Sequence, residues 1–328
     1  MNHKKPLRKK SEQEKSSFLL IIYSPSQSFE VNLKTASHLN YLMDLMKAQA
    51  VRWGTHLIEA DADAIDLSER PYRIEVEGRS IRTHAVIIAT GARANRLGVP
   101  SEDKFWSSGI SACAICDGAT PQFRNEELAV VGGGDSACEE AVYLTKYGSH
   151  VHLIVRSDQF RASAAMADRV MANPAITVHW NSEIEDVAGG EWMESLLLRN
   201  RVTSETRTLA VRGLFYAIGH TPNTDLLKDQ IELDEKGYLI TASGRPETSV
   251  DGVFSAGDVA DAEWRQGITA AGSGCKAALA AERWLTHHNL ASRVARASVE
   301  PAQAEKAVNV AVTTEETYEP KGLWQKGS

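Results

Sequence analysis

Glycine is missing from the first 40 residues, although the chain of 328 contains 23 of them. A tight strand-to-helix turn that brings backbone N–H groups against a phosphate depends on glycine, so no turn of that kind is expected there. Cysteine is scarce as well. Cys113, Cys116, Cys138 and Cys275 are the only four, too few and too scattered for a secreted disulfide scaffold, and the expected compartment is a reducing one. The cytoplasm is the first expectation and the chloroplast stroma the alternative. Positive charge is in deficit, with a net charge of −7, which excludes a general phosphate-reading surface and hence nucleic acid as partner. No apolar run approaches the ~20 residues that span a bilayer; the N-terminal run from Phe18 to Tyr23 is only strand-sized. No membrane association is expected. The opening "MNHKKPLRKK" leads into "SEQEK" rather than an apolar segment, so it reads as a solvated end and not as a signal peptide.

What remains is the composition of a globular α/β protein of about two domains, since 43% of the residues are hydrophobic and can fill a sizeable core. "YLMDLMKAQAVRWG" carries Leu42, Leu45, Met46 and Gln49 at helical spacing and ends at Gly54, a C′ residue. "YRIEVEGRSIRTHAVIIATG" reads as a hairpin turning at Glu77 and Gly78, followed by a buried strand over Ala85–Ala89. "LAVV" from Leu128, the turn "GGGDSA", the helix "CEEAVYLTKYG" and the strand "VHLIV" make a βαβ unit. A helix stopped by Pro174, the strand "ITVHW", a β-rich stretch from Met193 to Gly219, the strand "GVFSAGDV" and the helix "ITAAGSGCKAALAAERWL" follow. From about Ala291 the text is polar and reads as a linker or tail.

Three groups of residues carry chemistry. Gly132, Gly134 and Ala137 form a G-x-G-x-x-A loop between strand and helix, the arrangement that places a pyrophosphate on a helix N-terminus. The next strand ends in Val155 and Arg156, with Arg161 beyond, where an acidic residue would accept the ribose 2′-OH of NADH. A guanidinium there suits a 2′-phosphate, so NADPH is preferred over NADH, with Asp158 nearby as the opposing feature. Cys113 and Cys116 form a C-x-x-C with Asp117 directly behind. Zinc would need two further ligands at similar spacing, which do not follow. A structural disulfide is unusual in a reducing compartment, whereas a catalytic dithiol fits a C-x-x-C beside a nucleotide-binding unit. Asp117 would then exchange protons with the thiols, provided burial raises its pKa. Cys138 and Cys275 read as small core hydrophobes, and Glu139 and Glu140 as acids suited to the first turns of a helix. Asp258 precedes "EWRQGITAAGSG", a helix start whose small residues admit a large ligand.

Taken together, "ATGA" at 89–92, "CAICDG", "GGGDSACEEA", "YAIGHTPN" at 216–223 and "GVFSAGDV…WRQGITAAGSGC" resemble the low-molecular-weight NADPH-dependent thioredoxin reductases, from about Tyr41 to Leu290. The details are most similar to the plant and cyanobacterial type, which carries a C-terminal thioredoxin module that is not found before Ser328. The resemblance implies two Rossmann-like nucleotide-binding domains of the pyridine nucleotide-disulfide oxidoreductase fold. Residues 41–116 and 245–290 would form the FAD domain, residues 117–244 the inserted NADPH domain, 1–40 an atypical N-terminal segment and 291–328 a tail. It further implies that electrons pass from NADPH to FAD, to a Cys113/Cys116 disulfide, and on to thioredoxin or a thioredoxin-like module, with a peroxiredoxin downstream. Cys116 would face the flavin, Cys113 would attack the partner and Asp117 would be the acid/base. Gly132, Gly134, Asp135, Ala137, Arg156 and Arg161 would hold NADPH, with Ile218 and Gly219 also at the cofactors. Ala89, Thr90, Gly91, Gly257, Asp258, Arg265, Gln266 and Ile268 would lie along FAD. Rotation of the two domains and a homodimer are implied too.

Two departures stand out. Val155 and Ser157 occupy positions where the family has His and a second Arg. The glycine-free front lacks the family's FAD pyrophosphate loop, so the first half of the FAD domain is expected to be incomplete, its central strands missing and its flavin weakly retained. The alternative from another class is a non-catalytic NADPH-binding remnant, which bound flavin would distinguish.

Overall fold

The computed structural model describes residues 19–22 and 33–291, with side chains from residue 43 onward. In chain order the elements of the first part are β1 (Leu19–Ile22), α1 (Leu33–Arg52), β2 (Ala64–Asp66), β3 (Tyr72–Val76), β4 (Arg79–Thr83), β5 (Ala85–Ile88) and β6 (Ala92–Ala94). The helix expected from Tyr41 begins eight residues earlier, at Leu33. It still ends where the sequence indicates: Gly54 has a φ of +88° and donates its N–H to the Val51 carbonyl. The β3–β4 hairpin turns at Glu77 and Gly78, both at positive φ (49° and 72°), the two-residue turn whose twist matches that of its strands.

The middle of the chain supplies α2 (Glu102–Phe105), β7 (Ile110–Ser111), α3 (Ala114–Asp117), β8 (Glu127–Val131), α4 (Asp135–Leu144), β9 (His150–Ile154), α5 (Ala164–Met171) and β10 (Ile176–His179). After these come β11 (Ser182–Gly189), β12 (Met193–Asn200), β13 (Thr206–Ala210), β14 (Gly213–Tyr216) and β15 (His220–Pro222), and finally β16 (Val253–Ser255) and α6 (Gly267–His287). Parallel pairing orders five strands as β10-β9-β8-β14-β7, and β11-β12-β13 form a separate antiparallel sheet. One face of the five-stranded sheet packs Leu128, Val130, Val151 and Leu153 against Ala137, Cys138, Ala141 and Leu144 of α4. Its other face packs Ala129, Val131 and Ile154 against Ile184, Leu196 and Leu198 of the antiparallel sheet.

A polar chain runs along that second face. The Arg207 guanidinium donates to His179 Nδ1, His179 Nε2 lies 2.9 Å from His152 Nδ1, and His152 Nε2 lies 2.9 Å from Glu127 Oε2. Because arginine only donates, His179 Nδ1 is bare and its proton sits on Nε2; His152 accepts that proton at Nδ1 and donates from Nε2 to the carboxylate. Every ring nitrogen is satisfied with both imidazoles neutral. The chain links β8, β9, β10 and β13.

The other half of the molecule is built on the parallel order β1-β5-β16 and the antiparallel meander β2-β3-β4. Val86 and Ile88 of β5 and Val253 of β16 pack with Ile65, Tyr72 and Ile74 of the meander, while Ile87 and Phe254 pack with Ala277, Ala281 and Leu285 of α6. The expectation that strands from the front of the chain are missing is corrected in part. The apolar run at Leu19–Ile22 pairs in parallel along the whole of Ala85–Ile88, as a run rich in Leu and Ile can at an open sheet edge. The segment that would carry a phosphate turn after it lies outside the described residues. A second correction concerns Cys275, which is exposed rather than in the core. The buried stripe of α6 is Ala277, Ala281 and Leu285, and a residue two places before Ala277 is about 200° round the helix from it. Cys138 is buried as expected. No described helix is long and apolar enough to cross a membrane.

The two halves are joined by a ribbon in which β6 and β15 pair antiparallel, Ala94 opposite His220 and Ala92 opposite Pro222. Asn95 and Asn223 clamp it. Asn95 receives a hydrogen bond from Thr221 Oγ1 (2.7 Å) and gives one to the Ile218 carbonyl (3.2 Å), while Asn223 Nδ2 donates to the Thr90 carbonyl (2.8 Å).

Candidate active site

Each parallel sheet presents its loops at the carboxyl ends of its strands, where ligands bind in folds of this kind. In the five-stranded sheet, Gly132 directly follows β8 with a φ of +148°, and a Cβ there would lie 2.4 Å from the Ala217 carbonyl oxygen and 2.8 Å from Ala137 Cβ. Only glycine fits this crossing. Gly134 is the N-cap of α4 and leaves open space before it, so the first N–H groups of the helix face outward as an anion site requires. Arg156 and Arg161 are exposed on the loop after β9, which is anchored by a hydrogen bond from Arg161 N to the Gly133 carbonyl (2.7 Å). Asp135 holds the same loop from the other side. Its carboxylate accepts from Ser163 N (2.9 Å) and Ser163 Oγ (2.7 Å), and these bonds hold its pKa below the usual carboxylate value. The Asp135 side chain therefore shapes the loop. Ile218 and Gly219 follow β14, with their carbonyls bonded to Asn95 and Gly219 at a φ of +89°.

In the other sheet, Ala89–Gly91 follow β5 and Gly257–Asp258 follow β16, side by side because Ala256 N donates to the Ile88 carbonyl (2.9 Å). Gly257, at a φ of +72°, donates its N–H to Ser273 Oγ of α6 (2.8 Å). Asp258 Oδ1 is buried with no hydrogen-bond partner. Burial is the main reason that its pKa is raised, and Asp261 adds to the shift while Arg265 opposes it. Arg265 has a φ of +46°, a strained conformation for a residue other than glycine, and Gln266 caps α6 in a reciprocal capping box with Thr269. Ile268 stands apart from this group, 83% exposed on the first turn of α6.

The cysteines lie between the two sets of loops. Cys113 and Cys116 form a disulfide, with Cys113 as the N-cap of α3 and its sulfur accepting from Cys116 N at 3.2 Å. A backbone N–H aimed at that sulfur stabilises a thiolate on Cys113 once the bond is reduced. Ser111 Oγ accepts from Cys113 N (3.0 Å) and donates to Asp117 Oδ2 (2.6 Å). Burial raises the Asp117 pKa, and the Ser111 hydrogen bond opposes that rise. This is the direction of shift that suits a carboxyl exchanging protons with a dithiol. From the far half of the molecule, the Gln266 amide comes to 4.0 Å from Cys113 Sγ. The structure thus brings the redox pair against the α6 N-terminus, next to Asp258 and Arg265.

Two residues that feel the charge of Arg265 are not evident as site residues from the sequence. Glu140, whose position early in α4 suggests only an acid suited to the helix dipole, has its Oε2 buried without a partner, and burial pushes its pKa up to about 8. Its place three residues after Ala137 and four before Leu144, both buried, is the spacing that could have revealed it. His220 Nδ1 is also buried and unpaired, and burial chiefly pushes its pKa down to about 4.

A disulfide held between two nucleotide-type sheets defines a nucleotide-linked disulfide oxidoreductase. The family profile described as pyridine nucleotide-disulphide oxidoreductase matches residues 9–281, and the chain belongs to that family, in its thioredoxin reductase branch. It is 53% identical over 266 residues to NADPH-dependent thioredoxin reductase 3 of Arabidopsis thaliana, which covers 80% of this chain and 50% of the relative. It is 52% identical over 250 residues to a thioredoxin reductase of Debaryomyces hansenii, covering 75% of this chain and 78% of that one. Among solved structures, the thioredoxin reductase from Giardia duodenalis is 44% identical with a TM-score of 0.69, covering 75% of this chain and 81% of that one. The chain therefore spans only half the length of the Arabidopsis relative.

Proposed function

We propose that this chain is an NADPH-dependent thioredoxin-disulfide reductase with FAD as its internal carrier. The observation that carries the reading is the Cys113–Cys116 disulfide, with Asp117, its pKa raised by burial, behind it, set against the Gln266 end of α6. Relatives named thioredoxin reductase support it. Identities of 53% and 52% to the plant and fungal relatives do not separate a plant type from a fungal one.

The residues present fit the flavin end of FAD. Asp258 supplies an unpaired buried carboxylate oxygen, Gly257 a backbone turn without a Cβ, and Ala89–Gly91 the neighbouring loop. When bound, the flavin supplies exchange between a two-electron hydride donor and a disulfide. The Gly132–Ala137 loop would hold the NADPH pyrophosphate, and the exposed Arg156 and Arg161 would supply the charge that suits a 2′-phosphate. The chain's own residues do the rest. Reducing the disulfide takes two electrons and two protons, and Asp117, whose pKa burial raises and whose carboxylate is tied to the Cys113 backbone through Ser111, is the acid/base beside the pair. In this arrangement Cys116 is exposed while Cys113 is half-buried beneath Gln266, which suits electron entry. Attack of Cys113 on a partner disulfide needs that sulfur uncovered, so the halves, residues 117–244 against 41–116 with 245–290, must turn about the β6–β15 ribbon. The partner is thioredoxin or a thioredoxin-like module, with a peroxiredoxin beyond it, and the working form is a homodimer in a reducing compartment.

Turnover with both cofactors tests this reading. Purified protein supplied with FAD and NADPH reduces thioredoxin, and Cys116→Ser abolishes that turnover. Protein that binds NADPH, carries no flavin and leaves thioredoxin oxidised is instead a non-catalytic remnant.

A further inference from the structure

Among the described residues, three buried side-chain atoms have no hydrogen-bond partner: Glu140 Oε2, His220 Nδ1 and Asp258 Oδ1. Buried polar atoms are almost always paired, so each one needs a cause. Their placement supplies a common one. Glu140 lies on α4, His220 on the joining ribbon, and Asp258 on the turn after β16. All three feel the charge of the same guanidinium, that of Arg265. Arg265 adjoins Gln266, whose amide reaches the cysteine pair. Glu140 belongs to the same neighbourhood through α3, since Gly118 at the end of that helix lies against Leu144, one turn beyond Glu140 on α4. The three orphan atoms thus come from both halves of the molecule and share one charged neighbour, Arg265, which adjoins the residue that reaches the redox pair.

We propose that Glu140 and His220 form a second wall of the flavin site, contributed by the nucleotide-binding half and the ribbon, so that the flavin is held from both sides. This rests on the reading that FAD binds at Asp258. The fitting ligand chemistry is a planar ring with hydrogen-bonding edges, able to meet a donor and an acceptor on one side while Asp258 holds its chain on the other. The protonation states of the two residues agree with this role, because near pH 7 Glu140 is a neutral acid with an O–H to give and His220 a neutral imidazole. The wall therefore adds directional hydrogen bonds without fixed charge.

A site residue kept unpaired for a ligand leaves a two-sided signature. Replacing Glu140 by methionine, of similar length, or His220 by leucine relieves the apo-protein of an unpaired buried atom while removing a contact from the cofactor. The measurement is FAD affinity by fluorescence quenching, together with the flavin absorption spectrum and the apo-protein melting temperature. The expected result is an FAD Kd raised tenfold or more in each variant, a shifted flavin band, and an apo melting temperature equal to or above wild type. E140Q and H220N, which keep a hydrogen-bonding edge, recover most of the affinity. Wild type that binds FAD alongside E140M and H220L with Kd values within twofold of it and an unmoved spectrum overturns the inference alone. Wild type that takes up no FAD at all overturns the proposed function and this inference with it.

Discussion

Acidification attacks the polar chain Arg207–His179–His152–Glu127 at a defined point. Both imidazoles are neutral with every nitrogen committed, so an added proton on His179 Nδ1 meets the Arg207 N–H, and one on His152 Nδ1 meets His179 Nε2–H. Burial first, then the charge of Arg207, pushes the His179 pKa from 6.5 down to about 4. A group whose folded pKa is depressed takes its proton earlier in the unfolded chain, so stability is complete above pH 6.5 and is lost as pH falls toward 4. Between pH 7.5 and 5, His179 alone removes about 2 kcal/mol of unfolding free energy. His220, also pushed down to about 4, loses stability in the same window, so a variant is needed to isolate the chain. His179→Gln cannot titrate. In urea unfolding at pH 7.5, 6 and 5, it begins less stable than wild type but loses about 2 kcal/mol less across the range. Equal losses in the two proteins would refute the assigned tautomers and the reasoning built on them.

Asp117→Asn removes the titratable carboxyl beside Cys113; we expect about 100-fold slower thioredoxin reduction with FAD content unchanged, and loss of the fall in rate as pH rises through the Asp117 pKa, measured by steady-state profiles. Gly132→Ala places a Cβ 2.4 Å from the Ala217 carbonyl, and NADPH binding followed by ligand fluorescence weakens at least about tenfold while flavin uptake is retained. Arg156→Ala narrows the NADPH-over-NADH preference in kcat/KM by about tenfold, most clearly at low salt.

Local patterns make much of this structure legible. The Glu77–Gly78 hairpin, the βαβ unit around Gly132 and the helix stop at Gly54 depend on neighbours within a few residues, and periodicity with turn chemistry locates them. The active site is legible where one motif holds several members, as with Cys113, Cys116 and Asp117. Long-range sheet register determines the rest. His152 and His179 meet because β9 and β10 pair side by side, and Arg207 joins them only because a second sheet packs over the first. Glu140 and His220 are hidden for a similar reason, since the Arg265 charge that reaches both comes from a residue far along the chain. Cys275 shows the opposite case. Its apolar helix suggests burial, but the Ala277–Ala281–Leu285 stripe takes the core side and leaves Cys275 outside.

The central claim is that NADPH reduces the Cys113–Cys116 bond within this chain. The four cysteines make it countable, because the disulfide leaves Cys138 and Cys275 free. Thiols titrated after denaturation should rise from two to four per chain once the FAD-supplied protein has been treated anaerobically with NADPH, and should not rise in Cys113→Ser. A count that stays at two in the wild type, with both cofactors present, contradicts the account.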